Sequence, residues 1–227
     1  MQTSQTTAIA RRSFIVGASA TSLLALSGCQ SMGGFSMVEA LRRLLTMSSQ
    51  NAFSKLTAAG GFWDSSVARF DVPELFSGSS GLLKSLLTTS VFREKLQRQL
   101  NIVAEKGAER AAPLVLDAIR TISIPDAVGI LRGGPTAAST FLRGQMGTGL
   151  VGAMVPGLSD AIRISSDPIL SQAIAALSGV DVGSVAQSVA TQADNSIWSQ
   201  IGAEESDIRA HPEKTNDPLL IGLFKVV

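Results

Sequence analysis

The chain has 227 residues, of which 45% are hydrophobic and 16% charged, so it can bury a sizeable core, and wholesale disorder is excluded. Its 19 basic and 18 acidic residues nearly balance, which leaves no strong field for binding nucleic acid. One cysteine and one histidine exclude a disulfide framework and an ordinary zinc site, and we expect neither a metal nor a cofactor.

Residues 1–28 are typical of a signal peptide. Arg11 and Arg12 precede an uncharged, largely apolar stretch of 13 residues, 14–26. A transmembrane helix needs about 20 residues, so this stretch indicates the central region of a signal peptide instead. The arginine pair and its flanks look like the twin-arginine export signal, which carries folded proteins, although Ala10 replaces the usual serine. The general export route stays open, because its signals also carry arginine pairs.

Leu26-Ser27-Gly28-Cys29 follows the apolar stretch and resembles the lipobox of bacterial lipoproteins. In a lipobox, the small residues admit a signal peptidase that cuts before the cysteine, whose thiol takes a diacylglycerol. The resemblance implies lipidation of Cys29, with palmitate as an acyl chain. The alternative is a cysteine that merely follows a signal peptide cut elsewhere.

Residues 29–35 are predicted to form a lipidated tether. Gln30 follows the cysteine where inner-membrane lipoproteins carry aspartate, which by resemblance indicates the outer membrane, facing the periplasm. Residues 30–35 reach at most about 20 Å when extended, so the domain should sit close to the bilayer. Loss of Arg11 and Arg12 leaves 17 basic against 18 acidic residues. Without a polybasic patch, the acyl chains must anchor the protein.

Helical periodicity and turn signals predict a single all-α domain over residues 36–227, with about eight to ten helices. In its first half, Ser36-Met37-Val38-Glu39 reads as a capping box and Gly60-Gly61 ends the first helix. Pro113 is typical of a first helical turn, so a new helix is predicted there. The predicted starts are Ser36, Leu82, Ser90, Pro113 and, for a short helix before Gly133-Gly134, the run Ser123-Ile124-Pro125-Asp126.

The second half is predicted to hold one helix from Pro135 to about Arg163, followed by helices at Asp167-Pro168 and Asp217-Pro218. Between them, the longest apolar stripe of the chain begins after Val182 and steps by three, four or seven residues. Its members are Val185, Val189, Ala193, Ile197, Ile201 and Ile208. No alternating run reads as a strand, which favours an all-α fold.

The run from Ser123 to Gly134, Ser-Ile-Pro-Asp-Ala-Val-Gly-Ile-Leu-Arg-Gly-Gly, resembles a bacterial family known as domain of unknown function 4197. That family continues with an Ala-rich helix carrying an aromatic residue, and it ends with an acidic pair and a Leu-Leu pair. The matching residues here are Ala137, Ala138, Phe141, Ile201, Glu204, Glu205, Ile208, Arg209, Pro212, Leu219, Leu220 and Phe224. The resemblance implies an exported, often lipidated helical protein, and it assigns no catalytic residue.

For three features of the sequence, a structural interpretation outweighs the functional one. Gly147-Thr148-Gly149-Leu150-Val151-Gly152 fits a dinucleotide fingerprint, but that fingerprint needs a preceding strand, and the residues before it read as helix. His211 precedes Pro212 and is predicted to lie at the surface. Trp198 belongs with the long apolar stripe and is predicted to be core.

The acidic cluster near the C-terminus is the best candidate polar site. The apolar stripe places Glu204 or Glu205 at the edge of the buried face, where a carboxylate needs a partner. Arg209 lies four residues after Glu205 and can supply one. The functional interpretation is a polar ligand or acid–base site, with Asp126 as a further carboxylate. The default interpretation is a solvated helix face with a local ion pair.

The sequence supports two hypotheses of function. The leading hypothesis is a non-enzymatic envelope lipoprotein, held at the membrane, that binds a partner protein or an apolar ligand. The alternative is a cofactor-free hydrolase that acts on envelope material through carboxylates such as Glu204, Glu205 or Asp126. Raised carboxylate pKa values in a pocket would favour the enzyme, whereas an exposed apolar patch or a dry cavity would favour the binder.

Overall fold

A computed structural model describes residues 36–77, 81–177 and 180–225. The predicted signal peptide, the lipobox and the tether lie outside these residues. The described residues form ten α-helices, one 3₁₀ helix and no strand, which confirms the all-α prediction. The helices are α1 Met37–Leu56, α2 Glu74–Ser77, α3 Leu82–Leu87, α4 Ser90–Thr121, α5 Ala127–Leu131, α6 Ala137–Met146, α7 Gly149–Ile164, α8 Pro168–Ala175, α9 Val182–Ala210 and α10 Pro218–Lys225, with η1 Pro212–Thr215 before α10.

Helix α1 begins after its predicted cap, Ser36, and ends at Leu56, four residues before the predicted stop at Gly60-Gly61. The backbone amide of Glu39 donates to the Ser36 hydroxyl over 3.0 Å, while the Glu39 carboxylate accepts from Arg43 rather than closing the capping box. After the helix, Gly60 has a φ of +80°, a conformation that side chains disfavour. A Cβ atom on Gly61 would lie 2.7 Å from the carbonyl oxygen of Leu56, so the turn needs glycine at both positions.

Helix α4 continues past Pro113, so the predicted helix start there is wrong. Inside a helix, proline removes the amide that would bond to the preceding turn, and its ring crowds the carbonyl four residues earlier. Pro113 is exposed, so the carbonyl that it leaves free can face water. Ala111 and Val115 on either side are fully buried and continue the apolar stripe of the helix. Burial of that stripe therefore outweighs the local signal of the proline.

The predicted single helix from Pro135 to Arg163 is two helices, α6 and α7. The break falls at Gly147, which has a φ of +54° and cannot continue a right-handed helix in that conformation. The glycine motif therefore joins two helices, with α6 in the place where a dinucleotide site needs a strand.

Helix α9 is the centre of the bundle and packs against α1, α4 and α7. Its predicted apolar stripe is confirmed as core, with every member buried: Val185, Val189, Ala193, Ile197, Ile201 and Ile208. Trp198 is also buried and donates its indole Nε1 hydrogen to Asp194 over 3.0 Å.

Helices α1 and α4 run antiparallel, which defines two ends of the bundle. The Arg42 guanidinium donates to the carbonyl oxygens of Ile119 and Ile122, so the start of α1 lies beside the end of α4. At the other end of α1, the Gly60 amide donates to the Glu105 carboxylate in the middle of α4. We call the first end, which also holds α10, the tether end, because the predicted tether leads into α1 there. The far end holds α3 and the first turns of α4.

Candidate functional site

Glu205 lies fully buried at the junction of α9 and α6. Its two carboxylate oxygens accept hydrogen bonds from the backbone amides of Ala138 and Ser139, over 3.0 and 2.7 Å. These amides belong to the first turn of α6, where the helix dipole favours a negative charge. Glu205 therefore holds two helices together from a position that solvent does not reach.

Arg209 completes this arrangement. Its Nε donates to Glu205 over 2.8 Å, which confirms the predicted pair, and its Nη1 donates to the Leu131 carbonyl over 2.6 Å. The guanidinium also lies over the Phe224 ring, with its carbon 5.1 Å from the ring centroid. Because these side chains are enclosed by α5, α6 and α10, the default interpretation of this face as solvated is wrong.

Asp126 takes no part in the buried pair of Glu205 and Arg209. It is exposed and caps the start of α5, where its carboxylate accepts the Gly129 amide over 2.8 Å. Arg209 bonds to the opposite end of the same short helix, at Leu131. Asp126 therefore caps a helix, whereas Glu205 holds two helices together. Among the described residues, no hydrogen bond or ion pair joins Asp126 to Glu205.

Glu204 is also buried but takes different partners from its neighbour. Its Oε1 accepts from Lys55 Nζ and from Gln200 Nε2, each over 2.6 Å. Ser65 donates its hydroxyl to the Gln200 side-chain oxygen over 3.0 Å. These groups border an open groove of about 420 Å³, which we call the polar groove, lined by Lys55, Ala59, Gly60, Gly61, Asp64, Ser65, Ser66, Val67 and Gln200.

The polar groove offers a cation, an amide and a hydroxyl beside a buried carboxylate, so it can bind a polar group. Of these four residues, only Glu204 is a candidate site residue by sequence. Gln200 had a local signal, since it lies four residues before Glu204 on the same helix. Lys55 and Ser65 had none, because they come from α1 and from the loop after it.

Glu105 lies on α4 against the turn at Gly60. Its carboxylate accepts the Gly60 amide over 2.9 Å, and burial raises its pKa above the usual range for glutamate. The negative charges of Glu109 and Asp64 act in the same direction, while the Gly60 amide opposes them. The Glu105 carboxylate is therefore hydrogen-bonded to the turn at Gly60, which lines the polar groove.

Replacement of Glu105 by glutamine is expected to change how stability depends on pH. Because its pKa is raised on folding, Glu105 stabilises the folded state most below pH 4.5, its unperturbed value, and less as the pH rises through its raised pKa. Glutamine still accepts the Gly60 amide but cannot ionise. The free energy of unfolding of the variant should therefore rise relative to that of the wild type as the pH increases from 4.5 through the raised pKa of Glu105. Urea titrations at stepped pH check this, with Glu94→Gln, an exposed position on the same helix, as the control, and parallel profiles for wild type and Glu105→Gln would contradict it.

A second open groove, of about 450 Å³, runs along the glycine motif between α7 and α9. Arg143 reaches across it and pairs with Asp194 over 2.9 Å, and Asp194 also accepts from Trp198. His211 lies at the end of α9, half exposed, with its Nδ1 2.8 Å from Asp207. The described residues contain no group of three His, Cys, Asp or Glu side chains that could hold a metal ion.

The family described as "Protein of unknown function (DUF4197)" matches residues 31–225. No curated protein and no solved structure matches the chain. Across residues 36–77, 81–177 and 180–225, every helix is too short or too polar to cross a membrane.

Proposed function

We propose that this chain, which belongs to the DUF4197 family, is a lipid-anchored protein of the bacterial cell envelope that binds a protein partner. The lipobox ending at Cys29 supports the anchor, and Gln30 supports an outer-membrane location facing the periplasm. The family match begins at residue 31, two residues after this cysteine. The anchor would therefore lie immediately before the region that the family model matches.

The observation that carries partner binding is an exposed apolar corner at the far end of the bundle. We call it the α3–α4 corner and define it by Leu82, Leu86, Leu87 and Val91. Leu82 is 66% exposed and Val91 58%, and among the exposed large apolar side chains of the described residues only Ile164 exceeds them. Leu86 and Leu87 are half-buried beside them. Several apolar side chains on one exposed corner are typical of a protein-binding surface, whereas single ones are common.

The shape of the grooves favours a protein over an apolar ligand. Carriers of apolar ligands enclose most of the ligand in a cavity lined by apolar side chains. The polar groove and the groove along the glycine motif are both open, and charged side chains line each of them. An extended protein surface can use such open features, and an acyl chain would remain largely in water there.

Site-specific photo-cross-linking tests this function. A photoreactive amino acid is placed at Leu82 or at Val91, and the protein is cross-linked in its native cell envelope. We expect one defined adduct, which mass spectrometry identifies. The matched control is Ile164, which is 83% exposed and lies on α7. Adducts that are absent from the corner, or identical from the corner and from Ile164, would contradict partner binding at this surface.

One observation favours the second candidate, a cofactor-free hydrolase acting on envelope material. Glu204 and Lys55 form a close acid–base pair beside the polar groove, whereas Glu205 is fully buried and its oxygens are already bonded. Glu204 would therefore have to act without Glu205 as its partner carboxylate. Glu204→Gln would abolish such an activity and leave cross-linking at Leu82 unchanged, which separates the two functions.

A further inference from the structure

Helix α10 is an apolar helix fastened beside the start of α1. Asp217 caps it by accepting the Leu219 and Leu220 amides over 2.9 and 3.2 Å. The same carboxylate accepts from Arg43 on the second turn of α1 over 3.0 Å. Burial alone would raise the pKa of Asp217, but the two amide bonds and the Arg43 guanidinium outweigh it and hold the pKa below its usual range. The position of α10 at the tether end is therefore set by a capped and charged joint.

The outward face of α10 is apolar with a single terminal lysine. Only Leu220 is fully buried among the described residues of the helix, and Leu219, Leu223 and Phe224 pack on the core with part of each side chain exposed. Helical spacing places Pro218, Ile221 and Lys225 together on the opposite side. Pro218 and Lys225 are exposed, and Ile221 is half-buried. No acidic residue occurs between Pro218 and Val227.

The length of the tether brings this face close to the lipid anchor. Six residues separate Cys29 from Ser36, and they span at most about 20 Å. Helix α1 rises about 9 Å between Met37 and Arg43, where α10 is attached. Met37 is itself 45% exposed at this end. The joint at Asp217 thus lies within about 30 Å of the acylated cysteine along the chain.

The α3–α4 corner lies farther along the bundle from the end where the tether leads into α1. Helix α4 rises about 42 Å between Val91 and Ile119, and Ile119 lies at the tether end. Of the two apolar surfaces, α10 is therefore the nearer to the anchor along the bundle.

We infer that the outward face of α10, Pro218, Ile221 and Lys225, lies on the phospholipid bilayer that holds the anchor. This inference rests on the proposed lipid anchor. An apolar helix face with a cationic rim binds at the headgroup boundary, where the lysine stem covers apolar surface and its ammonium reaches a phosphate. This second contact sets the orientation of the domain, so that the α3–α4 corner points away from the membrane toward the periplasm.

A fluorescent reporter on α10 tests this contact. Acylation consumes the thiol of Cys29, the only cysteine of the sequence, so Ile221→Cys provides one labelling site for an environment-sensitive dye. The lipidated protein is reconstituted into vesicles of phosphatidylethanolamine with a minority of phosphatidylglycerol. The matched control is Val67→Cys, on an exposed apolar residue that lines the polar groove. Circular dichroism of both labelled proteins checks that they are folded.

We expect several-fold brighter, blue-shifted emission and loss of iodide quenching at position 221 in vesicles, with no change at position 67. A label at 221 that stays open to iodide, in protein that is acylated and vesicle-bound, would overturn the inference and leave the anchor standing. Protection from iodide without vesicles would overturn it too, because a second copy of the chain would then cover α10. Protein that carries no acyl chain by intact mass would overturn the anchor itself.

Discussion

Replacement of Arg209 by methionine is expected to lower the free energy of unfolding by about 3 kcal/mol, because it leaves a fully buried carboxylate without its cation. Glu205 would keep two backbone amides and lose the one cation that pairs with it among the described residues. The Leu131 carbonyl would lose its donor at the same time. Methionine keeps much of the apolar stem of arginine but also loses the guanidinium contact with the Phe224 ring, which adds to the loss. Denaturant titration followed by circular dichroism measures the loss.

The matched control is Arg120→Met on α4. Arg120 pairs with Asp117 three residues away, and both side chains are mostly exposed. Such a surface pair contributes about 0–1 kcal/mol, so this variant should unfold almost as the wild type does. A double variant, Glu205→Leu with Arg209→Leu, should recover part of the loss, because it removes the buried charge as well. Equal stability of Arg209→Met and Arg120→Met would contradict the buried role of the pair.

Replacement of Cys29 by serine is expected to abolish acylation and to release the protein from the outer-membrane fraction. A hydroxyl does not replace the thiol that takes the diacylglycerol in the lipobox reaction. The contact proposed for α10 is too small to retain the protein alone, since even one acyl chain gives only marginal membrane binding. Metabolic labelling with a fatty acid and fractionation of the envelope measure both effects.

Ser27→Ala is the matched control for this variant, because it keeps a small residue at the lipobox position and should be labelled normally. Fatty-acid label that persists in Cys29→Ser would contradict lipidation at this cysteine.

Replacement of Arg11 and Arg12 by lysine tests the export route separately. It should block export if the twin-arginine signal is used, and unchanged export would assign the protein to the general route.

The helix boundaries show where local signals suffice. Helix starts are predicted at Ser36, at the end of the run Ser123–Asp126 and at Asp167-Pro168, and the side chains of Ser36, Asp126 and Asp167 each accept an amide from the first turn that follows. A cap depends on residues two or three positions away, so the sequence contains all that is needed. Pro113 failed as a signal because the buried stripe on both sides of it continues the helix. The break at Gly147 was missed because a glycine next to a helical pattern can either continue or end it.

The acidic cluster shows where local signals stop. Spacing on one helix predicted the pair of Glu205 and Arg209, and the apolar stripe placed it at the edge of the core. Its other partners are the amides of α6 and the carbonyls of α5, which lie more than 60 residues away along the chain. Beside the polar groove, Lys55 of α1 likewise pairs with Glu204 of α9. Contacts of that kind have no local signature.

The sequence by itself therefore determined the fold class, most helix starts, the core stripe of α9 and the expectation of a lipid anchor, because each depends on periodicity or on neighbouring residues. Tertiary structure alone decided that Glu205 is buried, that Glu204 pairs with Lys55 beside a groove, and that α10 lies beside the start of α1. The physical reason is that burial and long-range hydrogen bonds depend on which helix faces pack together. That packing is decided by the whole apolar surface of the chain rather than by any one segment.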